Sequence, residues 1–364
     1  MQTLIQFITN PELEVKVQAA LERLTPVGGH LGALNALCSK LALIQNSVAP
    51  TFHQPSLVVF AADHGMAVEG LPLVDGLSTH AHALRMLTGD SAARAMARAV
   101  GLSFRLVDCG IAEPLPKHPR LLSRKIAHGT RNVCLGAAMS LDQTQAALRV
   151  GMEVSDRLRG NVLACAGLGQ GAYESAALIL SRLSQLPVRN FLVSGPNMPQ
   201  ELLTQTLPSL HNALNRHRAA ILPIDVLATL GGFEIAVMAG AMMVAASKRH
   251  LILADGLPAY AALLVASRIA PAVLDYALLC RSHTHRGLEE AQELLQCPAI
   301  PNPGLECTLD GAGAAAAWPT IQVCMGLLGQ VNLERNDSND SGAQDSGFVN
   351  SAPLGVTSRS AAEH

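Results

Sequence analysis

Asp310 stands in the segment Leu309-Asp310-Gly311-Ala312-Gly313-Ala314, which runs into a row of alanines. A carboxylate in such an apolar turn loses hydration, and that loss raises its pKa toward the range of a working general base. The same aspartate also reads as an N-cap for a helix through the alanines. Asp63-His64-Gly65 follows an apolar run, with Glu69 and Gly70 keeping the loop polar. It reads as a polar site beyond a strand, or as a loop in which Asp63 caps a turn and Gly65 takes a positive φ. Gly167-Leu168-Gly169-Gln170-Gly171 joins an apolar run to a helical pattern. Backbone N–H groups at such a helix start form an anion cradle, or simply a tight turn. The segment lacks the Gly-Lys-Ser/Thr ending of a P-loop and the G-x-G-x-x-G spacing of a dinucleotide site. Gly231-Gly232-Phe233-Glu234 opens a long apolar helix. There Glu234 suits the helix dipole, and the glycines permit close approach of a ligand or a neighbouring helix. His283 and His285 in Ser-His-Thr-His-Arg-Gly could bind a metal or a phosphate, or be loop histidines.

Elements of two periods must position these residues. Apolar residues at helical spacing predict helices over 12–24 (Leu13, Val17, Ala20, Leu21, Leu24) and 31–45. Further helices are expected over 79–100, 140–158, 173–185, 232–248 and 258–269, the second of these opened by a Ser140–Gln143 capping box. Short apolar runs at 56–62, 104–109, 161–166, 250–254 and 274–280 read as buried strands. Alternation of the two predicts an α/β fold, a parallel sheet with helices on both faces. In such sheets ligands bind beyond the carboxyl ends of the strands. From about Glu334 the chain is poor in large apolar residues, so 333–364 is expected to be a disordered tail.

Composition narrows the function classes. The 364 residues are 49% hydrophobic and 15% charged, enough for a large core. The apolar stretches 235–247 and 256–267 fall short of a membrane span, and no membrane is expected. With 26 Lys and Arg against 28 Asp and Glu, and 3% aromatics, no nucleic-acid footprint is present. The eight cysteines include no CxxC pair and mostly sit in apolar context. They read as reduced, buried thiols, and with no signal peptide visible the expected location is cytoplasmic.

Several segments, in order, resemble the nicotinate-nucleotide–dimethylbenzimidazole phosphoribosyltransferase family. They include FAADHGMAVEG, VDCGIAEPLP, LACAGLGQGAYESAA, DVLATLGGFEIAVMAGAMMVAA and LDGAGAAAAWP, within about residues 1–330. The resemblance implies a Rossmann-like large domain over 55–290 and a small helical domain from both chain ends, 1–48 and 291–332. It implies a homodimer that needs no metal or organic cofactor. The implied substrates are nicotinate mononucleotide and a benzimidazole-type base, and the products α-ribazole 5′-phosphate and nicotinate. Carried over by position, the catalytic base is Asp310, where the family has Glu. Substrate contacts fall on Asp63, His64, Gly65, Glu69, His82, Leu309 and Gly311, and phosphate contacts on Gly167, Leu168, Gly169, Gly171 and Gly195. The family's Glu in Gly-Glu-x-Gly is matched by Gly167, its Lys falls near Thr206, its Arg at Thr308, and its base-holding Gln at His82. The departures leave three readings: a transferase with altered base preference, one subunit of a heteromeric transferase with a paralogue, or a non-catalytic paralogue that binds a nucleotide or a partner.

Overall fold

Strands form where apolar runs can be buried on both faces, and here they can. The computed structural model describes residues 5–24, 31–71, 73, 76–192, 200–307 and 311–340. Its strands are β1 Ser56–Ala62, β2 Ser103–Gly110, β3 Leu121–Ser123, β4 Val162–Leu168, β5 Leu251–Asp255 and β6 Ala277–Cys280. Every residue of β1, β4, β5 and β6 is buried. The sheet is six-stranded and parallel in the order β3-β2-β1-β4-β5-β6. Chain direction across the sheet reverses between β1 and β4, where Phe60 pairs with Gly167 and Ala61 with Leu168. That is the switch point at which a doubly wound sheet opens a crevice.

The helices are α1 Pro11–Arg23, α2 Ala33–Gln45, α3 Thr79–Thr88, α4 Ala92–Ala99, α5 Leu141–Asp156, α6 Ala172–Ser184, α7 Gln200–Arg216, α8 Pro223–Leu230, α9 Phe233–Ser247, α10 Leu257–Ile269, α11 Arg286–Leu295 and α12 Ala312–Asp340. Ser140 and Gln143 form the expected capping box at α5. The most intimate helix pair is α5 on α9. A Cβ on Gly151 would lie 1.9 Å from the Val237 carbonyl oxygen, and one on Gly240 would lie 2.1 Å from that of Leu148. Two backbones touch there, which only glycine allows. Helices α1, α2 and α12 pack on one another, and α12 also packs against α4 and β5.

The structure corrects several expectations. The helix expected over 79–100 is two helices, because Gly89 takes φ +115 and caps α3. The first part of the strand expected over 274–280 is a 3-10 turn, Pro271–Tyr276, opened by proline. The sequence reading places no element at β3, α7, α8 or α11, although Leu288, Ala291 and Leu295 recur at helical spacing and are the buried face of α11. The backbone stays helical to Asp340, so residues 334–340 are not the disordered tail expected from their composition; 341–364 lie outside the described residues. The stretch Ala312–Gln330 of α12, 19 residues, is long and apolar enough to cross a membrane by length and composition. Half of it is buried, through Ala314, Ala315, Trp318, Ile321 and Cys324, so the core accounts for its apolarity. All eight cysteines are free, and all but Cys307 are buried.

Candidate active site

At the switch point, β1 delivers His64 into the space beyond β4. The chain then turns through Gly65–Glu69, and Gly65 is pressed against a second loop. A Cβ there would sit 2.5–2.6 Å from backbone atoms of Thr130, Arg131 and Asn132. His64 Nε2 lies 2.8 Å from Glu234 Oε1, with both side chains almost sealed from solvent. The ring lies between two glycines. A Cβ on Gly171 would meet His64 Cβ at 2.9 Å, and one on Gly232 would meet His64 Cε1 at 2.3 Å. This gives Gly231-Gly232-Phe233-Glu234 its physical meaning, since glycine lets α9 bring Glu234 up to the histidine. Burial pulls the His64 pKa down, but the charge and hydrogen bond of Glu234 outweigh it, so the pKa is raised and the imidazolium is favoured. Glu174, in the first turn of α6, is enclosed by protein yet partly accessible, as a group lining a cleft is. Desolvation raises its pKa against the pull of its own N–H and of His64.

A second knot holds the start of α12. Asp255, the last residue of β5, is fully buried. Its Oδ2 accepts from Gly311 N at 2.7 Å, from Ala314 N at 3.0 Å and from Ser282 Oγ at 3.0 Å. Ser282 Oγ in turn accepts from Gly313 N at 3.0 Å. A carboxylate from β5 therefore caps α12 from outside its own segment. Burial raises the Asp255 pKa, while these N–H and hydroxyl donors oppose the rise. A Cβ on Gly313 would come within 2.6 Å of Asp255 Oδ1, so the capped turn needs glycine. Neither composition nor periodicity marks Asp255; its place at a strand's carboxyl end, before Gly256, is the signal that does.

Beyond β6 lies an aromatic cluster. The rings of His283 and His285 stack at 4.9 Å, and Tyr173 of α6 lies 5.9 Å from each. His285 is also the N-cap of α11, its Nδ1 accepting from Leu288 N at 3.3 Å. Burial first, then the neighbouring His283 and Arg281 charges, hold the His285 pKa down at about 3.

The sequence-predicted residues separate as follows. His64, Gly169 and Gly171 meet at the carboxyl ends of β1 and β4, while Gly311 is tied to the carboxyl end of β5 through Asp255 and faces Ala93 and Leu57. Asp63 is used structurally: its Oδ2 accepts from Ala112 N at 2.7 Å, and its carbonyl accepts from Thr130 N at 3.0 Å. Glu69 is exposed and accepts from Asn132 Nδ2. His82 is buried on α3, one turn beyond Thr79, whose hydroxyl accepts from Gln170 N at 3.0 Å. Gly167 and Leu168 lie within β4, and Gly167 makes room for Pro258, to which a Cβ would come within 2.6 Å. Leu309, Asp310 and Gly195 lie outside the described residues. Sequence reasoning placed Asp255-Gly256 among the strand ends where a site is expected but gave Asp255 no role; it missed Glu174 and Tyr173, and it left His285 among the loop histidines.

Eight buried side-chain polar atoms lack a hydrogen-bond partner among the described residues. Five of them, Glu234 Oε2, Asp255 Oδ1, Arg281 Nη1, His283 Nδ1 and His285 Nε2, lie at the carboxyl end of the sheet. Such atoms are costly in a core and usual where a polar substrate completes the bonding. Among the described residues no group of three or more His, Cys, Asp or Glu is placed to hold a metal. The five atoms include carboxylate oxygens as well as Arg281 and ring nitrogens, so the arrangement suits a polar substrate that both donates and accepts hydrogen bonds.

The profile of a family described as phosphoribosyltransferase matches residues 8–335. The nicotinate-nucleotide–dimethylbenzimidazole phosphoribosyltransferase of Cupriavidus taiwanensis is 38% identical over 319 residues, covering 86% of this chain and 92% of that protein. That of Cupriavidus necator is 36% identical over 323 residues, covering 88% and 93%. A crystal structure of the enzyme so named from Thermus thermophilus superposes with a TM-score of 0.79 at 29% identity, covering 88% of this chain and 96% of that one.

Proposed function

The chain belongs to the nicotinate-nucleotide–dimethylbenzimidazole phosphoribosyltransferase family, and from that premise we propose that it moves the phosphoribosyl group of nicotinate mononucleotide onto 5,6-dimethylbenzimidazole or a similar base. The products are α-ribazole 5′-phosphate and nicotinate, a step in assembling the nucleotide loop of cobalamin. The nicotinate nitrogen is cationic in the substrate, so it leaves with the bonding pair as a neutral ring. One benzimidazole nitrogen attacks the anomeric carbon from the opposite face, which inverts the centre. Its other nitrogen then gives up its proton. Asp310 is the base that takes it. The loop after β4 cradles the phosphate, and the flat bicycle requires a dry apolar slot.

One observation carries this reading: the Gly311 N–H is held 2.7 Å from the buried Asp255 carboxylate, which ties the residue after Asp310 to the carboxyl end of the sheet. Gly311, the residue after the proposed base, is thereby held at the end of the sheet where α/β enzymes bind substrates, which supports the assignment. We further read the protein as a homodimer working in the cytoplasm, which sedimentation of the purified chain tests. Purified protein with nicotinate mononucleotide and dimethylbenzimidazole should release nicotinate and form α-ribazole 5′-phosphate in equal amounts. No product at any pH between about 6 and 9, a range bracketing a working base, would reduce the protein to a non-catalytic binder of this family.

A further inference from the structure

We propose that His285, supported by His283, Tyr173 and Arg281, holds the 5′-phosphate of the nucleotide substrate through a neutral ring N–H. The inference rests on the transferase reading and adds the side chain that takes the anion. Because His285 Nδ1 accepts the Leu288 N–H, the proton of the neutral ring is on Nε2. That Nε2–H is a donor with no partner among the described residues, on a side chain from a residue only 4% exposed. With Nδ1 committed to α11, Cε1 lies against Gly287, 3.1 Å from where a Cβ there would be, and the His283 ring stacks on the imidazole. The ring also meets Tyr173, second residue of α6. The N-terminus of α6 follows Gly169-Gln170-Gly171 and has no side-chain cap. A helix start with no side chain at its N-cap, where Glu174 draws on its own N–H, and a buried, unsatisfied ring N–H thus lie side by side. Both favour an oxyanion.

The surrounding charges agree with this choice. Arg281, whose Nη1 is buried without a hydrogen bond and 3.8 Å from Glu289 Oε1, brings a cation close enough to act on His285. The carboxylates nearby, Glu174 and Glu306, act on His64 and His283 respectively. The stacked His283 ring holds His285 in place, and its own Nδ1 is also unpartnered among the described residues. Among the described residues no third His, Cys, Asp or Glu joins the two imidazoles to hold a metal.

Calorimetry with inorganic phosphate, nicotinate mononucleotide and nicotinate, each titrated into the full chain, tests the assignment. His285→Asn keeps an oxygen acceptor for the α11 cap and removes the ring N–H. It should weaken phosphate and nicotinate mononucleotide binding by about tenfold or more, raise KM for the nucleotide, and leave dimethylbenzimidazole affinity unchanged. In the wild-type protein, phosphate should shift the imidazole NMR signals of His285, which needs no variant and is independent of folding effects. Unchanged phosphate affinity in a folded His285→Asn variant, or no NMR response to phosphate, overturns the proposal. Loss of nicotinate binding with phosphate binding intact would assign the pair to the ring carboxylate and overturn it equally. If the wild-type protein transfers no phosphoribose, the functional reading falls, and the phosphate titration still decides this one.

Discussion

His64 and Glu234 are 170 positions apart and meet at 2.8 Å inside the protein. A buried pair of this kind is weak evidence of net stability, but breaking it from one side strands a charge. His64→Ala should therefore cost about 3–5 kcal/mol in urea unfolding, and Glu234→Gln less, because the amide oxygen still accepts from the ring. The sign with pH follows from the raised His64 pKa. The pair's contribution is complete below the ordinary histidine value of 6.5 and is lost as pH rises through the folded value. An unfolding free energy for His64→Ala within 1 kcal/mol of wild type, roughly the worth of one ordinary hydrogen bond, would show the pair to be ornamental. Asp310 carries a different prediction. Asp310→Asn should lower kcat on the order of 10²–10⁴-fold, the usual loss for a general base, with little change in either KM. Asp310→Glu adds one methylene and keeps the carboxylate, so it should retain turnover. Equal kcat for Asp310→Asn and wild type would move the base to another carboxylate, with Glu174 the first to examine. The motif Asp63-His64-Gly65 was legible as a polar site, but its partner was not. Glu234 looked sufficient as a helix-dipole residue, and no local pattern announces a contact across that many positions.

The elements that position these residues were mostly legible, because their cause is local. Strands β1, β4 and β5 are uninterrupted apolar runs, and the α5 capping box is two side chains three positions apart. Much of what failed to show has a non-local cause. The three residues of β3 become a strand only by pairing with Leu106–Asp108 of β2. Helix α12 is capped by Asp255 of β5, so its start could not be told from the sequence around Asp310. The α5–α9 contact belongs to this scale and makes its own prediction. The Ala- and Gly-rich helices read as closely packing, and Gly151 and Gly240 show why, since each sits against a carbonyl of the other helix. A methyl group at either position must push two backbones apart. Gly151→Ala and Gly240→Ala should each destabilise by at least about 1–3 kcal/mol, the range for overpacking, beyond any gain in helix propensity. Thermal unfolding of the two variants measures it, and an unchanged or raised Tm would mean that the helices slide apart at no cost.

For the whole molecule, acid is the informative perturbation, because the fold holds several histidines in opposite electrostatic states. Burial, then the charges of His283 and Arg281, keep His285 neutral to about pH 3. Burial keeps His250 neutral to about pH 4, with Lys248 and His53 nearby, and burial lowers His283 as well. Each of these rings takes its proton more readily in the unfolded chain than in the fold. Their contributions are therefore complete above the ordinary value of 6.5 and are lost as pH falls through the folded values. His64 has the opposite sign, since its raised pKa adds stability on the acid side. The buried Asp255 and Glu174 carboxyls, with raised pKa values, share that sign, so the change between pH 7 and pH 4 is the balance of the two sets, and the His285 part is read as the difference between wild type and variant. His285, well buried, should account for about 1.4 kcal/mol per pH unit over the steep part of the window. The partly accessible His250 should contribute less, because solvent screens it. Across pH 7, 6 and 5 the urea midpoint should lose more, or gain less, in wild type than in His285→Asn. Nucleotide bound at His285 would place an anion beside that ring and raise its pKa, so saturating nicotinate mononucleotide should protect the fold more at pH 5 than at pH 7. Parallel slopes for wild type and His285→Asn would mean that His285 titrates alike in the folded and unfolded chain. The buried stack beyond β6 would then be open to water, and the phosphate assignment built on it would lose its footing.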